Sequence, residues 1–253
     1  MIPKSSIISA FTGMGMCLVL WQGLAAAVHR TILPSPIQVI PVFAGSLFGE
    51  LGCHFLASTG RVLSAMAIAV LTAVPIGLGL GQMRNIDRFF SPLIAIIYPI
   101  PKIVFLPVIY VMFGITDISK VLLIAIIIFF QILVVVRDEA AALPKELILS
   151  VRSLGAGRRA LFRYVYLPAS MPAVLTALRI SVGTSVAVLF IAEQSLTAYG
   201  LGYYIFVETY QVLRYPEMYA GIMAMGLLGL ILYAAIAGLE NRVSRHLSRD
   251  EYR

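Results

Sequence analysis

The sequence predicts an all-α, polytopic membrane protein with about six transmembrane helices, on the strength of its composition and of its apolar runs. Of the 253 residues, 60% are hydrophobic and only 12% are charged, with a mean hydropathy of +0.95. A soluble domain carries about 25% charged residues, so this chain lacks the side chains to cover a water-exposed surface. The apolar residues also fall into runs of roughly 20, the length at which a helix crosses a bilayer.

Six apolar segments are predicted to span the membrane as helices, because backbone polar groups within lipid must be satisfied inside the segment. They are residues 6–28, 61–82, 91–113, 120–136, 173–197 and 218–239. The first resembles a signal peptide, but its apolar stretch is longer than a signal core, and we expect it to remain as a span. Residues 124–136 show no alternation of polar and apolar side chains, unlike the strands of a membrane β-barrel.

Prolines and glycines predict local features within these spans. The third span contains Pro92, Pro99, Pro101 and Pro107, and proline kinks or breaks a helix. Such a break either improves packing or lines a transport site, and the sequence leaves both open. At the end of the second span, Gly77 and Gly81 have the spacing that allows close helix packing. Before that span, residues 37–56 are predicted to form an interfacial helix.

Basic residues are distributed unequally among the loops, which predicts the orientation of the chain. One set of loops holds Lys4, Arg84, Arg88, Arg137, Lys145, Arg152, Arg158, Arg159, Arg163, Arg242, Arg245, Arg249 and Arg253. The other set holds only Arg30, Lys120 and Arg214. Both termini and the long loop at about 137–172 are therefore predicted to be cytoplasmic. The net charge of +7 follows from these loops, and the aromatic residues and basic stripe of a nucleic-acid-binding module are missing.

The sequence offers no catalytic or metal-binding constellation. Cys17 and Cys53 lack the spacing of metal ligands, and the adjacent Cys53 and His54 make an isolated pair. None of the three histidines, His29, His54 and His246, lies in a zinc-protease motif or beside a nucleophile. We therefore predict neither an enzyme nor a metal site.

An ATP-binding loop of the G-x-x-x-x-G-K-[ST] type is also absent from the sequence. That loop needs a lysine directly after glycine, so that backbone amides and the ammonium group cradle the phosphates. The four lysines are Lys4, Lys102, Lys120 and Lys145, and none of them follows a glycine. We predict no cofactor in this chain, and any ATP must be bound by a partner.

The predicted cytoplasmic loop contains a compact pattern, LSVRSLGAGRRALFRYVYLPASMP, over residues 149–172. A helix over 144–154 is predicted to end at a turn, Gly155-Ala156-Gly157. A basic amphipathic helix over 158–166 follows, and Leu167-Pro168 and Pro172 lead into the fifth span. A short basic helix at the membrane surface either contacts anionic headgroups or docks a soluble partner.

The spacing within this loop resembles the signature of binding-protein-dependent ABC importer permeases. In that signature E-A-A, three residues, G, nine residues, I, any residue and L-P follow one another. Here Gly155, Val165, Leu167 and Pro168 match, with Val165 in place of Ile, while residues 149–151 read Leu-Ser-Val and depart from E-A-A. Further short matches to the nitrate/sulfonate/taurine branch are Leu33-Pro34-Ser35-Pro36, Ile100-Pro101, Phe113-Gly114, Ser119-Lys120, Leu178-Arg179, Ala192-Glu193 and Gly200-Leu201-Gly202.

This resemblance implies a type I ABC importer permease fold over the whole chain, 1–253, as a single transmembrane domain of the bacterial inner membrane. It implies that two permease copies form the pathway, that two cytoplasmic ABC ATPase subunits bind ATP, and that an extracytoplasmic protein delivers a small anion such as a sulfonate, taurine or nitrate. The implied ATPase-docking residues are Ser150, Arg152, Ser153, Leu154, Gly155, Ala156, Gly157, Val165, Leu167 and Pro168.

Polar residues within the spans are candidates for a solute pathway, because charges at membrane depth are costly and often functional. The candidate set is Tyr98, Lys102, Arg179 and Glu193. Each also has a plain alternative, in which the side chain pairs with a neighbour or extends to the interface. Two rival functions remain at this point. A gradient-driven transporter normally needs more buried carboxylates, and a membrane-embedded enzyme needs a catalytic constellation.

Overall fold

The computed structural model describes residues 4–28, 30–194 and 197–247, and every regular element within these ranges is helical. The α-helices are α1 Lys4–Val28, α2 Pro36–Ser46, α3 Glu50–Gln82, α4 Arg84–Ile97, α5 Leu106–Phe113, α6 Asp117–Ala142, α7 Lys145–Ser153, α8 Arg158–Leu161, α9 Leu167–Gln194, α10 Leu201–Tyr203 and α11 Tyr215–Leu247. A 3-10 turn, Lys102–Phe105, precedes α5, and π-helical segments, Phe162–Tyr166 and Tyr204–Tyr210, follow α8 and α10. The predicted all-α class is confirmed.

The number of apolar helices agrees with the predicted count of spans. Four helical stretches are long and apolar enough to cross a membrane, namely Glu50–Gln82, Asp117–Ala142, Arg158–Gln194 and Tyr215–Val243. The third predicted span is a pair of helices, Arg84–Ile97 and Lys102–Phe113, bent by 82° at the proline-rich break. Counting this pair as one span gives up to five spans in the described part of the chain, and the shorter apolar stretch Thr12–Val28 of α1 makes the total roughly consistent with the predicted six.

The structure corrects the prediction for the segment before the second span. The interfacial helix predicted over 37–56 ends early, because α2 stops at Ser46 and α3 begins at Glu50. At the start of α2, the backbone N–H of Ser35 donates to Oε1 of Gln38 at 3.0 Å, and Pro36 occupies the first helical turn. Glu50 and His54, which the prediction placed in the interfacial helix, therefore lie in the first turns of α3.

A second correction concerns the entry into the fifth span. The helix predicted over 158–166 and the span predicted to begin at 173 form one helix. The helix is continuous over Arg158–Gln194, 37 residues, and includes both Pro168 and Pro172. The N–H of Leu167 donates to the carbonyl of Phe162, five residues earlier. Proline lacks an N–H and clashes with the carbonyl four residues before it, so this wider π turn makes room for Pro168 within the helix.

The chain divides into two units. The larger unit comprises Ser58–Ala192 and Leu227–Arg253. Its core contains one face of α6, where Ile124, Ile128 and Ile132 recur every four residues and are fully buried. On α3, a methyl group added at Gly77 would lie 3.0 Å from Cβ of Val136, and one at Gly81 would lie 2.7 Å from Cβ of Ala140. The two glycines therefore bring α3 and α6 together closely, as their spacing predicts.

The smaller unit comprises Met1–Ala57 and Glu193–Gly226. Nε1 of Trp21 donates to the carbonyl of Pro34 at 3.0 Å, and its ring stacks on Tyr219 with centroids 5.7 Å apart. The beginning of α11 packs tightly against the π-helical segment, since a methyl group added at Gly221 would lie 2.7 Å from Cγ1 of Ile205. These contacts tie α1, the Pro34 turn and α11 together.

Candidate functional site

The predicted docking loop forms a short helix that ends in a sharp glycine turn. Helix α7 runs to Ser153, whose hydroxyl donates to the carbonyl of Ser150 at 2.7 Å. The N–H of Gly155 donates to the carbonyl of Arg152 at 2.9 Å, and the φ of Gly155 is +83°, in the region that glycine adopts without a steric penalty. Gly157 has an ordinary φ of −77° and precedes α8. The loop thus depends on glycine at the first of these two positions.

Side chains of this loop point outward and include unpaired apolar groups. Leu154 at the turn is 84% exposed and Leu149 on α7 is 61% exposed. Arg152, Ser153 and Gly155 are also exposed. Because exposed apolar side chains at a rigid turn are typical of a contact surface, this part of the predicted set is suited to docking a partner.

The remaining residues of the predicted docking set lie on the continuous helix and differ in exposure. Val165 is buried, Leu167 is half-buried and Pro168 is exposed. The match at Val165 and Leu167 therefore coincides with packing of the π-helical segment against the protein. The exposed turn at Ser150–Gly157 and this packed segment are adjacent in sequence but differ in what their side chains contact.

Tyr98 and Lys102 lie together at the break between α4 and the 3-10 turn. Nζ of Lys102 donates to the carbonyls of Ile97, Tyr98 and Ile100 at 3.0, 2.6 and 3.2 Å, and it lies 4.8 Å from the ring centre of Phe130. The lysine is only 9% exposed. The carbonyl of Ile97 also accepts from the N–H of Ile100 at 3.2 Å. Since the adjoining prolines supply no N–H, the ammonium group serves the carbonyls of Tyr98 and Ile100 at the break. Tyr98 itself remains exposed.

The other two pathway candidates have partners of their own. Nε of Arg179 lies 3.2 Å from Oε2 of Glu240, whose other oxygen accepts a hydrogen bond from Thr176 at 2.6 Å. Glu193 is fully buried, and its Oε2 accepts from the backbone N–H of Gly202 at 2.9 Å. Tyr98, Lys102 and Arg179 belong to the larger unit and Glu193 to the smaller one. Their role in a solute pathway stays a prediction.

Sequence reasoning did not find the cluster of the buried His54 with the exposed Glu50 and the half-buried Glu208 in the smaller unit. Nε2 of His54 lies 3.3 Å from Oε2 of Glu208, and Nδ1 accepts from the N–H of Gly200 at 3.0 Å. Burial raises the pKa of Glu208, Glu50 raises it further, and Arg214 opposes both. His54 and Glu208 are far apart in the sequence, so no spacing pattern could have predicted this pair.

This cluster could in principle hold a metal ion, since one ligand atom from each of its three residues lies within 4.8 Å of the others. The imidazole argues against this use. Because Nδ1 accepts a hydrogen bond from Gly200, the ring proton of the neutral imidazole lies on Nε2, the atom 3.3 Å from Oε2 of Glu208. Nε2 then has no lone pair for a metal, and His54 instead joins α3, the Gly200 turn and the π-helical segment.

Two ion pairs of the larger unit were also missed. Nη2 of Arg61 lies 2.6 Å from Oδ1 of Asp117 at the beginning of α6. Arg137 binds Asp87 and donates to the hydroxyl of Ser91 at 3.0 Å. The sequence placed Arg137 among the loop charges, and only the fold shows that it is paired.

Comparison with known proteins assigns this arrangement to a family and a fold. The family described as "Binding-protein-dependent transport system inner membrane component" matches residues 69–248. The taurine transport system permease protein TauC of Escherichia coli K12 is 28% identical over 239 residues, which cover 91% of this chain and 86% of the relative. The nitrate import permease protein NrtB of Synechocystis is 25% identical over 252 residues, which cover 96% and 91%.

A solved structure of the MetNI methionine ABC transporter, in an inward-facing conformation, has a similar fold. The TM-score is 0.65 at 19% sequence identity, over 77% of this chain and 96% of the solved one. The predicted type I importer permease fold is confirmed by this likeness. At this identity the comparison concerns the fold alone.

Proposed function

We propose that this chain, which belongs to the family of binding-protein-dependent transport system inner membrane components, is driven through the exposed turn at Ser150–Gly157. The chain is the membrane-spanning permease subunit of an ABC importer and not an enzyme. It is a multi-pass protein of the inner membrane, and its family works with an ATPase and a binding protein.

The observation that carries the docking proposal is the combination of a fixed backbone with exposed apolar side chains. Gly155 holds the turn in a left-handed conformation, and Leu154 and Leu149 extend away from the protein. A turn with a fixed backbone loses little conformational entropy when it binds in a groove of a partner. The partner is the ATPase subunit. It supplies the ATP-binding site, because this chain has no loop of the G-x-x-x-x-G-K-[ST] type to hold the phosphates.

The helix that follows the turn supports a mechanical role for the docking loop. From Arg158 to Gln194 the chain is one helix, so the turn and the membrane-spanning segment are connected without a flexible linker. Closure of the ATPase around ATP would move the turn, and the helix would carry that movement into the bilayer. Such rigid-body motion opens the pathway alternately to the two sides of the membrane.

The assembly and orientation follow from the same proposal. Two permease copies form the pathway and two ATPase subunits bind their docking turns. Both termini and the loop at 137–172 face the cytoplasm, in line with the excess of Lys and Arg there. An extracytoplasmic binding protein delivers the solute to the opposite side.

We propose a small anion as the solute, such as a sulfonate, taurine or nitrate, because the relatives include taurine and nitrate permeases. The proposed pathway passes the break at Tyr98, where an exposed phenol lies beside backbone that is not helical. Broken helices line transport sites in other membrane proteins. Lys102, Arg179 and Glu193 would shape this pathway while retaining the partners described above.

Co-purification with the ATPase subunit of the same transporter tests the docking proposal. We expect the wild-type chain to retain the ATPase through affinity purification, and Gly155→Asp to lose it, since a side chain at φ +83° distorts the turn. Gly45→Asp on α2 is the matched control, because it adds the same side chain outside the docking turn, at a position where an added Cβ has nothing within 4 Å. The proposal is wrong if wild type never retains an ATPase, or if both variants behave alike.

A further inference from the structure

Two adjoining cavities open at the end of α3 in the larger unit, and they differ in chemistry. The first has a volume of about 690 Å³ and is lined by four arginines but no acidic residue. The second has a volume of about 380 Å³ and is lined only by apolar side chains and Gly79. Gly79, Met83 and Ile86 line both cavities, so the two are continuous. Together they make one amphipathic site, with a basic part and an apolar part.

The basic part collects positive charge from separate elements. Its four arginines are Arg84, Arg152, Arg158 and Arg159. All four are exposed, and within the described ranges none has an ion pair or hydrogen bond to another side chain. Arg137, in contrast, is paired with Asp87. Four like charges around one cavity repel one another, and an anion with several oxygen acceptors relieves this repulsion by binding guanidinium groups.

The apolar part extends from the arginines into the membrane-spanning portion of the fold. It is lined by Pro75 and Ile76 of α3, by Phe90 and Leu93 of α4, and by Phe129 and Leu133 of α6. Pro75 in the apolar part and Gln82 in the basic part are seven positions apart on α3, which corresponds to about 10 Å along the helix axis. An elongated apolar group could therefore lie in this groove while its charged end remains at the arginines.

We propose that this amphipathic site binds an anionic phospholipid of the inner leaflet, with the phosphate at the arginines and one acyl chain in the groove. The assignment to the inner leaflet depends on the orientation given under the proposed function. Basic pockets on the cytoplasmic side of membrane helices recognise anionic headgroups. A soluble phosphate would leave the groove unfilled, whereas a phospholipid matches both parts. The lipid would hold Arg158 of α8 and Arg84 of α4 around one headgroup, beside the docking turn.

Native mass spectrometry of the purified chain, with added phosphatidylglycerol or phosphatidylcholine, tests this proposal. We expect wild type to bind phosphatidylglycerol at least tenfold more tightly. Removing two arginines in Arg84→Gln/Arg158→Gln should weaken that binding roughly 30-fold, by the usual contribution of a basic residue to anionic-lipid binding. Arg88→Gln/Arg242→Gln removes the same charge from exposed residues outside the cavity and should leave the affinity within about twofold.

The groove has its own matched pair of variants. Gly79→Leu should weaken phosphatidylglycerol binding about tenfold, because the new side chain fills the junction between the cavities, where an added Cβ meets nothing within 4 Å. Gly183→Leu adds the same side chain at another open helical position and should have no effect. Glycerol phosphate, which carries the headgroup without acyl chains, should bind far more weakly than the lipid.

Several results would overturn the lipid assignment. Equal affinity for the two lipids would show that the arginines do not select an anionic headgroup, and equal loss in both arginine pairs would reduce the site to diffuse surface charge. Equal binding of glycerol phosphate would make it a soluble-anion site, and a dimer that Gly79→Leu dissociates would make the groove an interface between copies. Loss of the ATPase in Arg84→Gln/Arg158→Gln with unchanged lipid binding would assign the arginines to that partner. Because lipid binding is read without the ATPase, this proposal and the docking proposal can fail separately.

Discussion

The ammonium group of Lys102 lies 2.6 Å from the carbonyl oxygen of Tyr98 and donates a hydrogen bond to it at the proline-rich break after α4. Pro99 and Pro101 contribute no N–H at the break, and Nζ of Lys102 donates to the carbonyls of Tyr98 and Ile100 that follow α4. A charged residue that the sequence offered as a pathway candidate thus has a demonstrable place in the backbone of the broken span.

We expect Lys102→Met to lower the free energy of unfolding by about 2 kcal/mol or more, because three carbonyls lose a charged donor. Lys102→Arg should retain much of the stability, since guanidinium also donates several hydrogen bonds. The measurement is the temperature at which the detergent-solubilised protein loses its monodisperse size-exclusion peak. Equal midpoints for Lys102→Met and wild type would show that the lysine does not stabilise the break.

Glu193 offers a test that separates a structural role from a pathway role. Glu193→Leu should destabilise the protein by about 1–3 kcal/mol, because the buried N–H of Gly202 loses its acceptor. Glu193→Gln keeps a side-chain oxygen in place and should restore most of that stability. If solute uptake also recovers in Glu193→Gln, the negative charge is not needed for transport. If stability recovers without uptake, the charge itself acts in the pathway.

The close contact of α3 and α6 predicts different effects for two glycines. Gly81→Ala should destabilise the protein by about 1–3 kcal/mol, because the new methyl group would lie 2.7 Å from Cβ of Ala140 and force the helices apart. Gly183→Ala has open space and should be neutral or slightly stabilising, as alanine is the better helix former. The same thermal assay compares them. Equal losses would mean that helix packing does not limit the side chain at Gly81.

The proposed orientation can be read by cysteine labelling after removal of the two exposed cysteines, Cys17 and Cys53. We expect Ser153→Cys in the docking turn to react with a membrane-permeant maleimide but not with an impermeant one added to intact spheroplasts. Val212→Cys, an exposed position in the loop before α11, should react with both. The opposite pattern would place the docking turn outside the cell, where no ATPase can reach it.

Glu208 predicts a change of stability with pH. Burial raises the pKa of its carboxyl in the folded protein, with a further contribution from Glu50, so the neutral form is favoured on folding. The stabilisation is complete below the unfolded pKa of about 4.5 and is lost as the pH rises through the higher folded value. Glu208→Gln should therefore gain stability relative to wild type as the pH rises above about 4.5, measured as the difference in thermal midpoint.

Glu139→Gln, at an exposed position on α6, is the matched control for the pH series. Its midpoint should follow that of wild type at each pH. A difference between Glu208→Gln and wild type that stays constant with pH would contradict the effect of burial, because only the ionised carboxylate is penalised.

Local signals in the sequence predicted much of the fold, and long-range partners explain most of what they missed. Apolar runs that stop at polar residues or glycine gave the ends near Val28, Gln82 and Phe113 correctly. The early start of α3 was missed because Glu50 and His54 are polar and indicate an interfacial helix rather than a span until His54 is seen beside Glu208. The continuity of the helix through Pro168 was also missed. It depends on the π turn in which the N–H of Leu167 donates to the carbonyl of Phe162, and composition does not reveal that bond.

The site shows the same division between local and distant information. The turn at Gly155 was predictable because glycine is needed wherever a short segment must reverse with a positive φ. The paired states of Arg179 and Glu193 were not, because Glu240 and the N–H of Gly202 reach them only in the folded chain. The four arginines of the amphipathic site were recognised as basic loop residues. That they line one cavity could not be predicted, because only the folded chain brings them together.

The helix from Arg158 to Gln194 is continuous, so the two ends of the fifth span belong to one stiff element. At 1.5 Å per residue, its 37 residues extend for about 55 Å. If one end is held, a tilt of roughly 5° displaces the opposite end by about 5 Å, which is close to the width of a small solute. Modest work by an ATPase at the membrane surface would then suffice to widen or shut a passage on the far side, with no hinge needed between them.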